Sequence, residues 1–226
     1  MIPIEVTRAA WSRAAKFPPN KEAVYYEHAV VQEFALHIRE RVLEYGCGGG
    51  SDALSYLRRQ NRVWYADVVP DNVEAATRRI AQAGLAREAY PVVLEASAPI
   101  PLAAETMDVI NAHGVLHHIE DPAPVLAEFA RILKVGGQLY VMLYTEHLWA
   151  KHQRTIELLV RSGRCHAVTE AFGWCTDEAG TPYARAYTEA EGRGLIEASR
   201  LTVESVRLYN DREFRTFKAR KMGRLP

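Results

Sequence analysis

The glycine-rich stretch at residues 46–50 constrains the fold more than any other part of this sequence. Residues 42–45 are apolar apart from Glu44, and four glycines then occur within five positions. Residues 51–54, Ser-Asp-Ala-Leu, follow and are typical of a helix start. Glycine lets the backbone turn tightly and lets a ligand approach it closely, while a helix N-terminus presents unpaired N–H groups to polar ligand atoms. The stretch therefore predicts a strand, a turn and a helix that hold a nucleotide-like ligand.

A second acidic residue follows at the spacing that such a ligand site needs. Residues 62–69 are rich in β-branched and aromatic side chains and predict a strand that ends near Asp67. Asp67 lies 21 positions after Gly46, about one crossover unit, where nucleotide-binding folds place a carboxylate on the ribose hydroxyls. An aspartate that only begins the next turn is the alternative interpretation. Position 51 is serine, so the dinucleotide pattern G-x-G-x-x-G is not met.

The bulk composition excludes several classes of protein. With 226 residues and zero formal net charge, the chain suits one domain with at most a small elaboration, and it lacks the basic character of a nucleic-acid binder. No apolar run approaches the roughly 20 residues of a membrane span, and residues 1–19 do not resemble a secretory signal. The three cysteines form neither a zinc pattern nor a disulfide framework, so a cytoplasmic protein without a metal site is expected.

Alternating strand and helix patterns predict the fold class. We expect an α/β, doubly wound, mostly parallel seven-stranded Rossmann-like sheet with a terminal antiparallel strand. Residues 1–40 are predicted as an N-terminal arm, on the surface over 1–19, and a helix over 21–39. The remaining chain divides into a ligand-binding core at 41–145, an insertion at 146–187, and a last helix and strand pair at 188–226. All four parts are expected to form a single domain.

Two motifs resemble the class I S-adenosylmethionine-dependent methyltransferases. Residues 42–50 match the first motif of that family, apolar-apolar-acid-x-Gly-x-Gly-x-Gly. Residues 114–122, Gly-Val-Leu-His-His-Ile-Glu-Asp-Pro, and the Gly-Gly pair at 136–137 resemble small-molecule methyltransferases of the quinone-biosynthesis type. With Asp67, the resemblance covers about residues 40–145.

This resemblance implies a cofactor, S-adenosylmethionine, with S-adenosylhomocysteine as the product. Glu44 and the glycine turn would hold the methionine part, and Asp67 would hold the ribose. Ala96 stands where the family usually has an acid facing the adenine, so other groups must recognise that ring. The cofactor-binding residues implied all follow the carboxyl ends of predicted strands: Glu44, Gly46, Cys47, Gly48, Gly50, Asp67, Val68, Ala96, Ser97, Ala112 and His113.

Histidines are the candidates for a catalytic base. His113, His117 and His118 lie at or just after the fourth predicted strand, and imidazole titrates near neutral pH. We expect one of the adjacent pair to face the ligand and the other to pack or to face solvent, and histidines that merely shape the pocket are the alternative. Residues 172–183 are predicted as a polar and aromatic loop. Substrate contacts are predicted from residues outside the core: Tyr25, Tyr26, Trp149, Trp174 and Asp177.

The leading hypothesis is therefore methyl transfer to an O, N or C atom of a small organic acceptor. A cofactor-binding partner or regulatory module without turnover is the alternative, and an NAD-type oxidoreductase is disfavoured by Ser51. No Asn/Asp-Pro-Pro-Tyr/Phe motif follows strand four, which disfavours a nucleic-acid base as acceptor. No membrane partner is expected, and a homodimer is left open.

Overall fold

The computed structural model describes residues 2–14, 38–95, 99–177 and 181–223. Four predicted site residues lie outside these ranges: Tyr25, Tyr26, Ala96 and Ser97. Most of the helix predicted over residues 21–39 also lies outside them.

A seven-stranded sheet forms the centre of the molecule. Its strands are β1 (Arg41–Tyr45), β2 (Arg62–Asp67), β3 (Ala89–Val93), β4 (Met107–His113), β5 (Leu133–Tyr144), β6 (Leu201–Tyr209) and β7 (Phe214–Lys221). The order across the sheet is β3-β2-β1-β4-β5-β7-β6. Strand β7 runs antiparallel to both neighbours, and the other pairs are parallel. The predicted fold class is confirmed.

The topology places the ligand crevice. Strand order reverses between β1 and β4, which are adjacent in the sheet. In doubly wound sheets, ligands bind beyond the carboxyl ends of the strands at such a reversal. The residues that follow β1, β2 and β4 therefore meet at one edge of the sheet.

Helices cover both faces of the sheet. The described residues contain α1 (Ile4–Ala14), α2 (Ser51–Leu57), α3 (Pro70–Gln82), α4 (Ala123–Ile132), α5 (Glu146–Arg161), α6 (Val168–Thr176) and α7 (Glu189–Glu197). Val42 packs in the core formed with α2 and α3, whereas its neighbour Leu43 packs in the core formed with α4 and α7. Successive strand residues point to opposite faces, so β1 is fully buried on both sides. Among the described residues, no helix is both long and apolar enough to span a membrane.

The predicted loop over residues 172–183 is wrong in its first part, because residues 172–176 belong to α6. The first residues of the segment are buried: Phe172 is fully buried and meets Trp149 of α5 edge to face. Gly173 allows the chain to pass close by, since a Cβ there would lie 2.5 Å from the carbonyl oxygen of Thr181. The polar residues suggested a loop, and tertiary packing overrides that local signal.

Candidate active site

The glycine turn after β1 is held against β2. The backbone N–H groups of Gly46 and Cys47 both donate to the carbonyl oxygen of Ala66, at 2.7 and 2.9 Å. Gly46 has φ +77°, and a Cβ at this position would lie 2.3 Å from Cγ2 of Val115. Glycine is therefore required where the turn meets the segment that follows β4. Cys47 is buried beside it, and burial raises the pKa of its thiol, which makes it a packing residue rather than a nucleophile.

The other two glycines of the motif serve different purposes. Gly50 has φ +79°, and a Cβ there would lie 2.8 Å from Cβ of Ala76, so it permits close packing of α3. Gly48 has φ +48°, yet no described atom lies within 4 Å of the position that its Cβ would take. The turn is thus packed on two sides and open at Gly48, as a cradle for a ligand requires.

Asp67 joins the end of β2 to this open turn. Its Oδ2 accepts from the backbone N–H of Gly48 at 3.0 Å and from Nδ2 of Asn72 at 3.2 Å. Its Oδ1 accepts from the backbone N–H of Val69 at 2.9 Å. Burial raises the pKa of the Asp67 carboxyl, and these hydrogen bonds oppose the rise. The two motifs that sequence analysis singles out therefore touch directly. Val68, the next predicted site residue, follows Asp67 directly, and its carbonyl oxygen accepts from Nε of Arg8.

A buried acidic pair lies under the glycine turn. Asn111 donates through Nδ2 to Glu44 at 2.8 Å and to Asp52 at 3.1 Å. All three side chains are buried. Burial, followed by the negative charge of Asp52, holds the pKa of Glu44 well above its usual range, and the Asn111 hydrogen bond opposes this shift. Sequence analysis predicts Glu44 as a site residue but misses Asp52 and Asn111. The one signal for Asp52 is its place in the first turn of α2, where an acid is favoured.

The end of β4 carries Ala112 and His113. Ala112 is fully buried, and Nε2 of His113 lies 2.8 Å from the hydroxyl of Tyr209 at the end of β6. Burial lowers the pKa of His113, and the negative charge of Asp52 acts in the opposite direction. Tyr209 therefore holds the imidazole ring from a distant strand, and no sequence pattern indicated this contact.

His117 and His118 occupy different surroundings. His117 is fully buried and stacks on Tyr144 with 3.6 Å between ring centroids. Its ring nitrogens make no hydrogen bond of normal geometry with a described residue. Burial first, and then the adjacent His118, holds the pKa of His117 well below its usual value, and the backbone of Met142 acts in the opposite direction. The structure thus encloses His117 as a neutral ring.

His118 lies with a predicted substrate residue. Its Nδ1 lies 2.9 Å from the carbonyl oxygen of Tyr183, and its Nε2 lies 3.7 Å from Oδ2 of Asp177. Two other predicted substrate residues, Trp149 and Trp174, lie in the part of the chain that the structure describes and do not join them. Trp149 packs between α5 and α6, and Trp174 is 57% exposed.

Helix α1 extends across the edge of the sheet. Nε of Arg8 donates to the carbonyl oxygen of Val68 at 2.8 Å, and its Nη2 donates to that of Leu94 at 3.3 Å. Trp11 meets His118 edge to face, with 4.8 Å between ring centroids. Sequence analysis did not predict this helix. Helix α1 therefore contacts the segments that follow β2, β3 and β4.

Replacing Arg8 should loosen this helix. For Arg8→Ala, we expect amide hydrogen exchange in residues 4–14 to become about fivefold to tenfold faster, because one to two net hydrogen bonds are lost. Exchange measured by mass spectrometry tests this. Arg78→Ala, which removes a solvent-exposed ion pair with Glu74 on α3, is the matched control and should leave residues 4–14 unchanged. Equal exchange of residues 4–14 in the two variants would show that the hydrogen bonds of Arg8 do not hold α1 in place.

Replacing His117 should cost little stability despite its complete burial. For His117→Leu, we expect the free energy of unfolding to stay within about 1 kcal/mol of the native value. The lost ring stacking, about 0.5–1.5 kcal/mol, is offset by removing unsatisfied ring nitrogens, which cost about 1–3 kcal/mol when buried. Urea unfolding measures the difference. A loss of about 3 kcal/mol or more would show that the imidazole has a strong partner after all.

The fold and this edge define a doubly wound domain with a crevice at the reversal of strand order, where domains of this architecture bind their ligands. Residues 43–141 match the family described as Methyltransferase domain. The ubiquinone biosynthesis O-methyltransferase of Hahella chejuensis is 30% identical over 130 residues, which covers 58% of this chain and 54% of that protein. These matches bear out the resemblance of the core to the class I S-adenosylmethionine-dependent methyltransferases that its sequence shows.

Solved structures show the same fold. A Haloferax volcanii methyltransferase, solved with the activator Trm112, has a TM-score of 0.70 and 16% identity and covers 97% of this chain and 99% of its own. The Burkholderia thailandensis 1,6-didemethyltoxoflavin-N1-methyltransferase was solved with bound 1,6-didemethyltoxoflavin and S-adenosylhomocysteine. It has a TM-score of 0.67 and 18% identity, and the match covers 97% of this chain and 88% of its own. At these identities the likeness concerns the fold alone. The chain spans about half the length of the ubiquinone methyltransferases it matches, and 26% of a longer Synechococcus protein.

Proposed function

We propose that this protein transfers a methyl group from S-adenosylmethionine to a small organic acceptor. The observation that carries the proposal is the contact between Asp67 and the backbone N–H of Gly48, beside the open face of the glycine turn. This contact brings the glycine turn and the Asp67 carboxylate together, and an adenosyl ligand needs both. The matched relatives named for ubiquinone biosynthesis support a small acceptor.

The residues present fit the cofactor chemically. An amino-acid moiety carries an ammonium group, and the buried carboxyl groups of Glu44 and Asp52 offer it acceptor oxygens close to the turn. Asp67 offers acceptor oxygens to ribose hydroxyls. Gly46, Cys47 and Gly50 shape the turn around them. When bound, the cofactor supplies an electrophilic methyl group on a positively charged sulfur.

Further parts of the assignment extend this site. We assign Val68, together with Ala96 and Ser97 from outside the described residues, to the adenine end, and Ala112 and His113 to the methyl-donor end. Holding two reactants in attack geometry can lower a barrier by about 7–11 kcal/mol, so positioning can supply much of the catalysis.

The acceptor side is assigned to the cap that follows β5. Residues 146–177 include α5 and α6, and Asp177, just after the end of α6, lies beside His118. Trp149 and Trp174 belong to the same cap, and Tyr25 and Tyr26 remain predicted contacts from outside the described residues. His113, His117 and His118 remain the candidate bases. Of these, His118 has both a fixed orientation and a carboxylate beside it.

A screen of small acceptors tests the proposal. The protein is incubated with S-adenosylmethionine and pools of small phenols, amines and activated carbon acids, and products are detected by a mass increase of one methyl group. We expect one class of acceptor to gain the methyl group as S-adenosylhomocysteine accumulates in equal amount. Binding of S-adenosylhomocysteine without methylation of any acceptor would favour a non-catalytic partner or regulatory module.

A further inference from the structure

The side-chain amide of Asn111 joins two buried carboxyl groups. Its Nδ2 donates to Oε2 of Glu44 at 2.8 Å and to Oδ2 of Asp52 at 3.1 Å, so both hydrogens of this nitrogen are used. Among the described residues, Asn111 is the only side chain that donates a hydrogen bond to Glu44. A neutral amide cannot balance two negative charges, and neighbouring carboxyl groups in a buried site do not readily ionise together.

Glu44 is the member of this pair that is expected to hold a proton. Burial first, and then the negative charge of Asp52, holds the pKa of Glu44 well above its usual range, and the Asn111 hydrogen bond acts in the opposite direction. Burial shifts the pKa of four further groups on the adjoining elements toward the neutral form: Cys47 in the glycine turn, Tyr56 on α2, Tyr65 on β2 and His113 on β4. Asp67 also acts on Cys47, but backbone N–H groups hold its carboxylate.

The same cluster contains an acceptor without a donor. Oδ1 of Asn111 accepts no hydrogen bond from any described residue, although this side chain is fully buried. A buried acceptor that lacks a donor is costly, so its presence calls for an explanation. An ammonium group brings three N–H donors and a positive charge. Glu44, Asp52 and Oδ1 of Asn111 together offer it three acceptors.

We propose that Glu44 carries a proton in the free protein and releases it when an ammonium group binds among Glu44, Asp52 and Asn111. The inference rests on the proposed function, which brings such a group in the methionine part of the cofactor. The O–H bond of the Glu44 carboxyl breaks, and its proton passes to the solvent. The ammonium group keeps its three hydrogens, and its positive charge replaces the proton beside the new carboxylate.

This exchange would make the cluster selective for a charged amino group. A neutral substituent cannot balance the carboxylate that the lost proton leaves behind, so a ligand without the ammonium group leaves Glu44 protonated. Such a ligand also leaves Oδ1 of Asn111 without a donor. Asp52 and Asn111, which no sequence motif indicated, are therefore specificity-determining residues in this account.

Calorimetry counts the released proton. The native protein is titrated with S-adenosylhomocysteine at about pH 6, above the ordinary glutamate pKa of about 4.3, in two buffers that differ in their heat of ionisation. The difference between the two binding heats gives the number of protons that pass to the buffer. We expect release of about one proton per bound ligand. Saturable binding without proton release would overturn the inference.

Replacing Glu44 tests the source of the proton. In Glu44→Gln the release should fall to near zero, because no ionisable group remains at this position. The affinity of the native protein should rise with pH above the ordinary glutamate range and level off once Glu44 is ionised in the free protein, since ligand and proton compete. The affinity of Glu44→Gln should not change over that range. Equal proton release by this variant and the native protein would overturn the inference.

Glu204→Gln is the matched control for this variant. Glu204 lies on β6 and forms its ion pair with Arg220 at the exposed edge of the sheet. Its replacement makes the same chemical change far from the glycine turn. It should release as many protons as the native protein does, and loss of the release in this variant would show that the proton does not come from Glu44.

A ligand without the amino group tests the exchange in the native protein. The desamino analogue of S-adenosylhomocysteine, in which hydrogen replaces the amino group, should bind at least about tenfold more weakly and release no proton. Release of the same number of protons by both ligands would overturn the inference. Failure of S-adenosylhomocysteine to bind the native protein would instead refute the proposed function, so the two failures are distinguishable.

Discussion

Gly48→Val should weaken S-adenosylhomocysteine binding about a hundredfold or more, which is about 2.7 kcal/mol. The side chain would enter the open space beside the glycine turn, where no described atom lies within 4 Å of the Cβ position. Because that space is proposed for the ligand, the branched side chain excludes it. Isothermal titration calorimetry measures the change.

Backbone strain alone must be separated from this effect. Gly48 has φ +48°, and valine in that region costs about 1–3 kcal/mol of stability. Gly136→Val is the matched control, since Gly136 has φ +82° and also nothing within 4 Å, near the start of β5 at the opposite edge of the sheet. We expect similar losses of stability from both variants and a loss of affinity only from Gly48→Val. Equal affinity in the two would remove Gly48 from the site.

Asp67→Ala should weaken cofactor binding by about 1.5–3 kcal/mol, the usual range for hydrogen bonds to a charged group. The carboxylate is proposed to hold ribose hydroxyls, and it already holds the backbone N–H groups of Gly48 and Val69. Its removal deprives the ligand of acceptors and also loosens the turn. Calorimetric titration with S-adenosylhomocysteine measures the loss.

Asp108→Ala provides the control for the structural part of this change. Asp108 lies near the start of β4, at the other edge of the sheet, and accepts from the backbone N–H of Arg41 at 2.9 Å. Its replacement also leaves a backbone donor without its partner but does not touch the glycine turn. We expect reduced stability with full affinity. If Asp67→Ala bound the ligand as well as Asp108→Ala does, the ribose assignment would have to be abandoned.

The parts of this site that sequence analysis predicts are those with local patterns. The glycine turn at 46–50 and the strand ending at Asp67 are each visible in a few residues, and the length of one crossover brings them together. The structure confirms the seven-stranded sheet and its antiparallel end for the same reason, because strand periodicity and crossover length are local properties.

The parts of the site that sequence analysis misses depend on contacts between residues that are distant in sequence. Asn111 is 67 positions from Glu44, and Tyr209 is 96 positions from His113. Neither asparagine nor tyrosine shows in advance which residue it will meet, because the contact exists only after the sheet has assembled. Arg8 and Trp11 are a further case. The partners of Arg8 are two backbone carbonyl groups and the partner of Trp11 is a histidine ring, and all three follow other strands.

The central claim is that the ends of β1, β2 and β4 enclose an adenosyl sulfonium ligand. Calorimetric titration of the native protein with S-adenosylhomocysteine, beside a titration with NADH, tests it most directly. The claim predicts saturable one-to-one binding of S-adenosylhomocysteine and no heat of binding from NADH. Binding of NADH with no response to S-adenosylhomocysteine would contradict it.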